Sequence, residues 1–112
     1  MSSYSTQFDS GPLLNALINK TQAGKLKWDE TADEDIFLVS VGGNTTLKIR
    51  REFLRHPGYH RHLLSLLDEN GKLVWEIDEP EVLIRELFIL ARRVARKVDE
   101  RVEALMGTLQ KL

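Results

Sequence analysis

The chain of 112 residues contains no cysteine, which excludes a disulfide framework, a thiol nucleophile and a thiolate zinc site. Nor does it contain an apolar run approaching the roughly 18 residues that a membrane span requires. Charge of one sign is missing too. Sixteen Lys and Arg stand against seventeen Asp and Glu, so the formal charge of -1 offers no global attraction to nucleic acid or anionic lipid. The opening residues, Met1 to Ser10, lack the cationic-then-apolar order of a signal peptide, and a cytoplasmic location is expected. With 42% apolar and 29% charged residues the composition is that of an ordinary globular chain, neither disordered nor fibrous. The length suits one domain. Residues 1–10 are polar and Ser-rich, so a flexible N-terminus is expected ahead of a single domain over 11–112.

The periodicity predicts an α+β order. Ser10 as N-cap, Pro12 in the first turn and Leu13, Leu14, Leu17 and Ile18 at helical spacing give a short helix over about 11–23, stopped by Gly24. Leu26 and Trp28 alternate with lysines, a candidate short strand before the acidic stretch 29–35. Ile36 to Val41 and Thr45 to Phe53 then form a hairpin through Gly42-Gly43-Asn44. A three-residue loop is favoured because it sets Val39 against Leu47 and Phe37 against Ile49, apolar against apolar. Beyond His56-Pro57-Gly58 a third strand runs from Tyr59 to Leu67. Asp68-Glu69-Asn70-Gly71 turns it back on itself, setting Leu67 against Leu73, Ser65 against Trp75 and Leu63 against Ile77. In that register Leu64 and Leu66 join Val74, Ile36 and Leu38 on a second apolar face, which something must cover. Pro80 opens a long helix reaching about residue 106, about 40 Å, which overhangs a domain of this size. Its first half carries two apolar faces, and its second half only the stripe Val98, Val102, Leu105, Leu109. The expected fold is a four-stranded, at most five-stranded, antiparallel meander flanked by a short N-terminal and a long C-terminal helix.

Residues with chemical potential are few. His60 and His62 lie two apart on a strand, so their imidazoles share a face, and His56 before the turn completes a candidate metal cluster. No carboxylate falls within it, and Arg55 and Arg61 oppose a cation. Arg50, Arg51, Arg55, Arg92, Arg93 and Arg96 form a candidate phosphate-binding face. Against it stand five acids in 29–35 and six in 68–81, which can neutralise the basic blocks within the fold or across a dimer. Gly42-Gly43-Asn44 is too short to cradle a phosphate, Ser40 and Ser65 sit in no nucleophile motif, and the acidic loop lacks the calcium-loop pattern. No enzyme and no cofactor are expected.

One pattern is familiar. Leu13-Leu14, Thr21-Gln22-Ala23-Gly24-Lys25-Leu26-Lys27-Trp28, the Asp68-to-Lys72 hairpin and the helix start from Pro80 to Leu90 resemble small bacterial proteins of unassigned function. These share the plan helix, T-x-x-G-K-L-x-W, meander, long helix, and the resemblance spans most of residues 13–95. It implies the order of the fold and no activity or site. The residues themselves favour a non-enzymatic interaction or regulatory module acting as a homodimer, with Ile36, Leu38, Leu64, Leu66, Val98, Val102, Leu105 and Leu109 between subunits. The alternatives are a nucleic-acid binder using the arginine face and a metal or small-ligand binder using His56, His60 and His62.

Overall fold

Pro12 and the i, i+3, i+4 spacing of Leu14, Leu17 and Ile18 produce helix α1, Gly11–Gln22, which buries those three residues and Thr21. The computed structural model describes residues 9–56 and 58–112; residues 1–8 of the expected flexible terminus, and Pro57 in the turn, lie outside them. Gly24 ends the helix at φ +76°, a conformation that disfavours any side chain. The T-x-x-G-K-L-x-W segment thereby acquires a structural explanation. Its glycine turns the chain back so that the buried Trp28 indole N–H donates to Thr21 Oγ1 at 3.0 Å, while Thr21 donates to the Leu17 carbonyl at 2.7 Å.

Five antiparallel strands follow in sequential order: β1 (Asp29–Glu30), β2 (Ile36–Val41), β3 (Thr45–Leu54), β4 (Tyr59–Leu67) and β5 (Leu73–Ile77). Pairing puts the fifth strand just after Trp28 and not across Leu26–Trp28. The β2–β3 loop has three residues, with Phe37 opposite Ile49 and Val39 opposite Leu47, as apolar matching requires. The β4–β5 register departs from expectation. A bulge follows the Leu67–Leu73 pair, so Leu66 faces Trp75, Ser65 faces Glu76 and Leu64 faces Ile77. This one-residue shift carries Trp75 and Ile77 to the helix-covered side and places a carboxylate beside Ser65. Leu64 and Leu66 accordingly share a face with Phe37, Val39, Leu47 and Ile49, not with Ile36 and Leu38. Leu64 is fully buried in the chain's own core.

After Pro80, now the N-cap and not the first helical residue, α2 (Glu81–Ala95) buries Ile84, Leu87, Phe88, Ala91 and Ala95 on the sheet. Ser10 Oγ donates to the Glu79 carbonyl at 2.9 Å, tying the start of α1 to the start of α2. The expected continuous C-terminal helix is broken. Lys97 adopts left-handed geometry, φ 55° and ψ 44°, and a separate helix α3 (Val98–Gln110) begins. A non-glycine residue there costs on the order of 1–2 kcal/mol. Side chains bridge the break: Arg93 Nη2 reaches Asp99 at 2.6 Å, and Arg101 Nε caps the Arg96 carbonyl at 2.9 Å. Asp99 and Glu100 also sit favourably in the first turn of α3.

No residue of α3 is buried, and among the described residues the only element it touches is α2. The molecule extends 64 × 39 × 26 Å with a radius of gyration of 16.2 Å, against about 13 Å for a compact domain of this length. Among the described residues no helix is long and apolar enough to cross a membrane.

Candidate functional site

Strands β3 and β4 outrun their neighbours. Pairing with β2 begins at Ile36–Arg50 and pairing with β5 ends at Leu64–Ile77, whereas β3 and β4 continue through Arg51–His62, Glu52–Arg61, Phe53–His60 and Leu54–Tyr59. This two-stranded arm rises beside α2, and an open groove of about 580 Å³ lies between them. The arm supplies Arg51, Tyr59, His60 and His62; α2 supplies Glu81, Arg85, Phe88, Ile89 and Arg92, one helical face at steps of three and four.

At the floor, the fully buried Phe88 ring organises the charges. Arg51 and Arg92 place guanidinium carbons 5.2 and 5.4 Å from its centroid, and the His62 ring meets it edge-on at 5.2 Å. His62 Nδ1 lies 3.0 Å from Glu81 Oε2. Burial pushes the imidazole below its ordinary value. The hydrogen bond and charge of Glu81 oppose the shift, and the charges of Arg51 and Arg85 add to it. His62 is therefore neutral at pH 7, with Nδ1–H donated to Glu81. A carboxylate-oriented imidazole is half of a general-base arrangement, and among the described residues no serine or threonine lines the groove beside it.

The histidines do not assemble into the candidate cluster weighed as an alternative. His62 is turned under α2, His60 packs edge-on against Phe53 at 5.2 Å, and His56 lies exposed in the turn. Among the described residues no group of three or more His, Asp or Glu is placed to hold a metal ion.

The six arginines do not form one face either. Strand alternation puts Arg50 on the side of the sheet away from α2, bonded to Glu52 at 2.9 Å and 3.6 Å from Glu76. Arg51 is held by Asp35 at 2.8 Å and Arg93 by Asp99 at 2.6 Å. Arg96 packs over Phe37, 3.8 Å from Glu30, and donates to the Glu34 carbonyl. Arg55 is exposed in the turn. Of the six, only Arg51 and Arg92 line the groove.

The outer sheet face, expected to be apolar, is roofed by charge. Arg61 and Arg50 grip opposite oxygens of Glu52 at 3.0 and 2.9 Å, and Ser65 donates to Glu76 at 2.6 Å. Desolvation pushes the Glu52 carboxyl upward, but the hydrogen bonds and charges of Arg61 and Arg50 outweigh it and hold it below the ordinary value. Leu63 is buried beneath this ladder, and Ile36 and Leu38 are half-buried on the same face. The long aliphatic stems of the arginines cover surface that the alternation pattern left open. By contrast Val102, Leu105, Met106 and Leu109 of α3 are each more than half exposed.

Comparison of the chain with protein-family models, curated proteins and solved structures yields no match. Sequence reasoning missed Tyr59, Glu81, Arg85, Phe88 and Ile89 as groove residues. Their signal on α2, a mixed stripe at positions 81, 85, 88, 89 and 92, is visible on a helical wheel. The arm that completes the groove is not.

Proposed function

We propose that this protein is a non-enzymatic interaction module of the cytoplasm that works as a homodimer, with α3 as the contact between copies. The observation that carries the reading is a 13-residue helix without one buried side chain. Isolated helices shorter than about 12–15 residues are marginal in water, and Gly107 weakens this one further. Among the described residues only α2 touches it, and packing against a second copy would supply the stability it lacks.

The stripe Val98, Val102, Leu105, Leu109 steps by four, three and four, the seam of a helix pair. A second copy is the natural occupant because this seam is self-complementary. An antiparallel arrangement about a twofold axis between residues 103 and 104 sets Val98 against Leu109 and Val102 against Leu105 of the other copy, in four apolar layers. The near-zero net charge opposes such pairing little. Ile36 and Leu38, half-covered by the charge ladder, contribute less than the alternation pattern implied.

Sedimentation equilibrium of the full chain at low micromolar concentration tests the proposal. A mass near twice 12.9 kDa is expected. Leu105→Glu is expected to return a monomer whose core unfolds as before, since a change at an exposed site costs at most about 0.5 kcal/mol within one chain. A wild-type monomer with α3 strongly protected from hydrogen exchange would overturn the reading.

A further inference from the structure

The groove between the β3–β4 arm and α2 has a chemical character that the dimer reading leaves unused. Its volume, about 580 Å³, falls within the roughly 300–1,000 Å³ of small-molecule sites. Three guanidiniums border it, from Arg51, Arg85 and Arg92, together with His60, against the single lining carboxylate of Glu81. That carboxylate is committed to His62 at 3.0 Å and lies 3.9 Å from Arg85. Asp35 neutralises Arg51 from outside the groove through Nη2, and among the described residues the buried Arg51 Nε has no hydrogen-bond partner. Arg92 makes no ion pair among the described residues and rests on the Phe88 ring. Counting Arg51, Arg85 and Arg92 against Glu81 and Asp35 leaves one positive charge. Beside it the groove is apolar, walled by Phe88, Ile89 and Tyr59, the last two about half exposed.

We infer that this groove binds a small organic oxyanion, a carboxylate or phosphate monoester on a flat apolar body, with Arg92 and Arg51 receiving the anionic head and Ile89 and Tyr59 the body. Both guanidiniums rest on the Phe88 ring and both line the groove, where an oxyanion accepts the forked N–H donors that arginine presents. The stacking on Phe88 holds Arg92 before the ligand arrives, so little side-chain entropy is lost on binding. A cation is disfavoured by the same charges. A long polyanion would need the arginines on one continuous face, and Arg50 lies across the sheet.

The test is a titration of the full chain with benzoate and phenyl phosphate, followed by the imidazole resonances of His60 and His62. Saturable shifts are expected with both probes and none with benzylamine, the cationic analogue of benzoate. Phenyl phosphate is expected to bind at least about tenfold tighter than inorganic phosphate, the contribution of the apolar wall. Arg92→Gln is expected to weaken binding about tenfold or more, with Arg92→Lys intermediate and thermal unfolding unchanged in both. Absence of saturation, equal binding of inorganic phosphate, or indifference to Arg92→Gln would overturn the inference. So would tight binding of an oligonucleotide that phenyl phosphate cannot displace. Measurement on the Leu105→Glu chain separates this site from self-association, and binding is expected to survive there.

Discussion

Thr21 and Trp28 show how a single hydroxyl joins two elements. The indole N–H, out of reach of solvent, has Thr21 Oγ1 as its acceptor. Thr21→Val keeps the shape and removes the acceptor, and an unsatisfied buried donor costs about 1–3 kcal/mol. Urea unfolding is expected to show a loss of that size, and Thr21→Ser to recover most of it. His62 makes a second argument at this scale. Because its folded value lies below the ordinary 6.5, the unfolded chain binds more protons in that window, and stability rises with pH there. The contribution is complete above pH about 6.5 and is lost as pH falls toward the folded value. Glu81 is the one neighbour that opposes the shift, so Glu81→Gln is expected to move the His62 titration further down. An upward movement in the NMR titration would contradict that assignment.

Among the elements, those whose ends carry their own chemistry were legible. Gly24, Gly42 and Gly71 mark turns through backbone conformations that other residues resist, and apolar matching then selects the β2–β3 register. The bulge at Val74 carries no such mark. It brings Ile77 against the core and Trp75 to the same side of the sheet, a placement that depends on the two faces of a finished sheet. The break at Lys97 is equally silent in the sequence, since neither glycine nor proline is near. The groove was invisible for the same reason, as it depends on which face of α2 the overrunning arm meets. Lys97→Gly tests the break directly. With a left-handed residue 97, glycine relieves strain and is expected to raise stability by about 1 kcal/mol, or about 4 °C in Tm. In an unbroken helix the same change would lower stability by up to about 1 kcal/mol.

At the scale of the whole molecule the shape divides labour. A three-layer body is avoided: α1 and α2 cover one side of the sheet, and the ladder Arg61–Glu52–Arg50–Glu76 replaces a covering layer on the other. Such exposed pairs contribute little individually, about 0–1 kcal/mol each. Their value lies in keeping Leu63 dry without inviting a partner. Val102, Leu105, Met106 and Leu109 leave exposed apolar side chains on α3, alongside Phe53, Leu73, Val74 and Val82 of the body, and the proposed self-association through α3 would leave the groove between arm and α2 accessible. The doubling of mass and its loss in Leu105→Glu are therefore expected to occur without change in oxyanion binding.

The order of the strands carries a consequence for synthesis. Every strand pairs with its neighbour in sequence, so the meander can zip up as it leaves the ribosome, with short loops and little entropy to overcome. Yet Phe37, Val39, Leu47, Ile49 and Leu64 share their core only with Leu14, Leu17, Ile18 and Trp28 until Ile84, Leu87 and Phe88 emerge. A chain that ends just before Pro80 has all five strands but only α1 to share their core, leaving part of the oily side open, the kind of surface chaperones hold, and one further helix closes it.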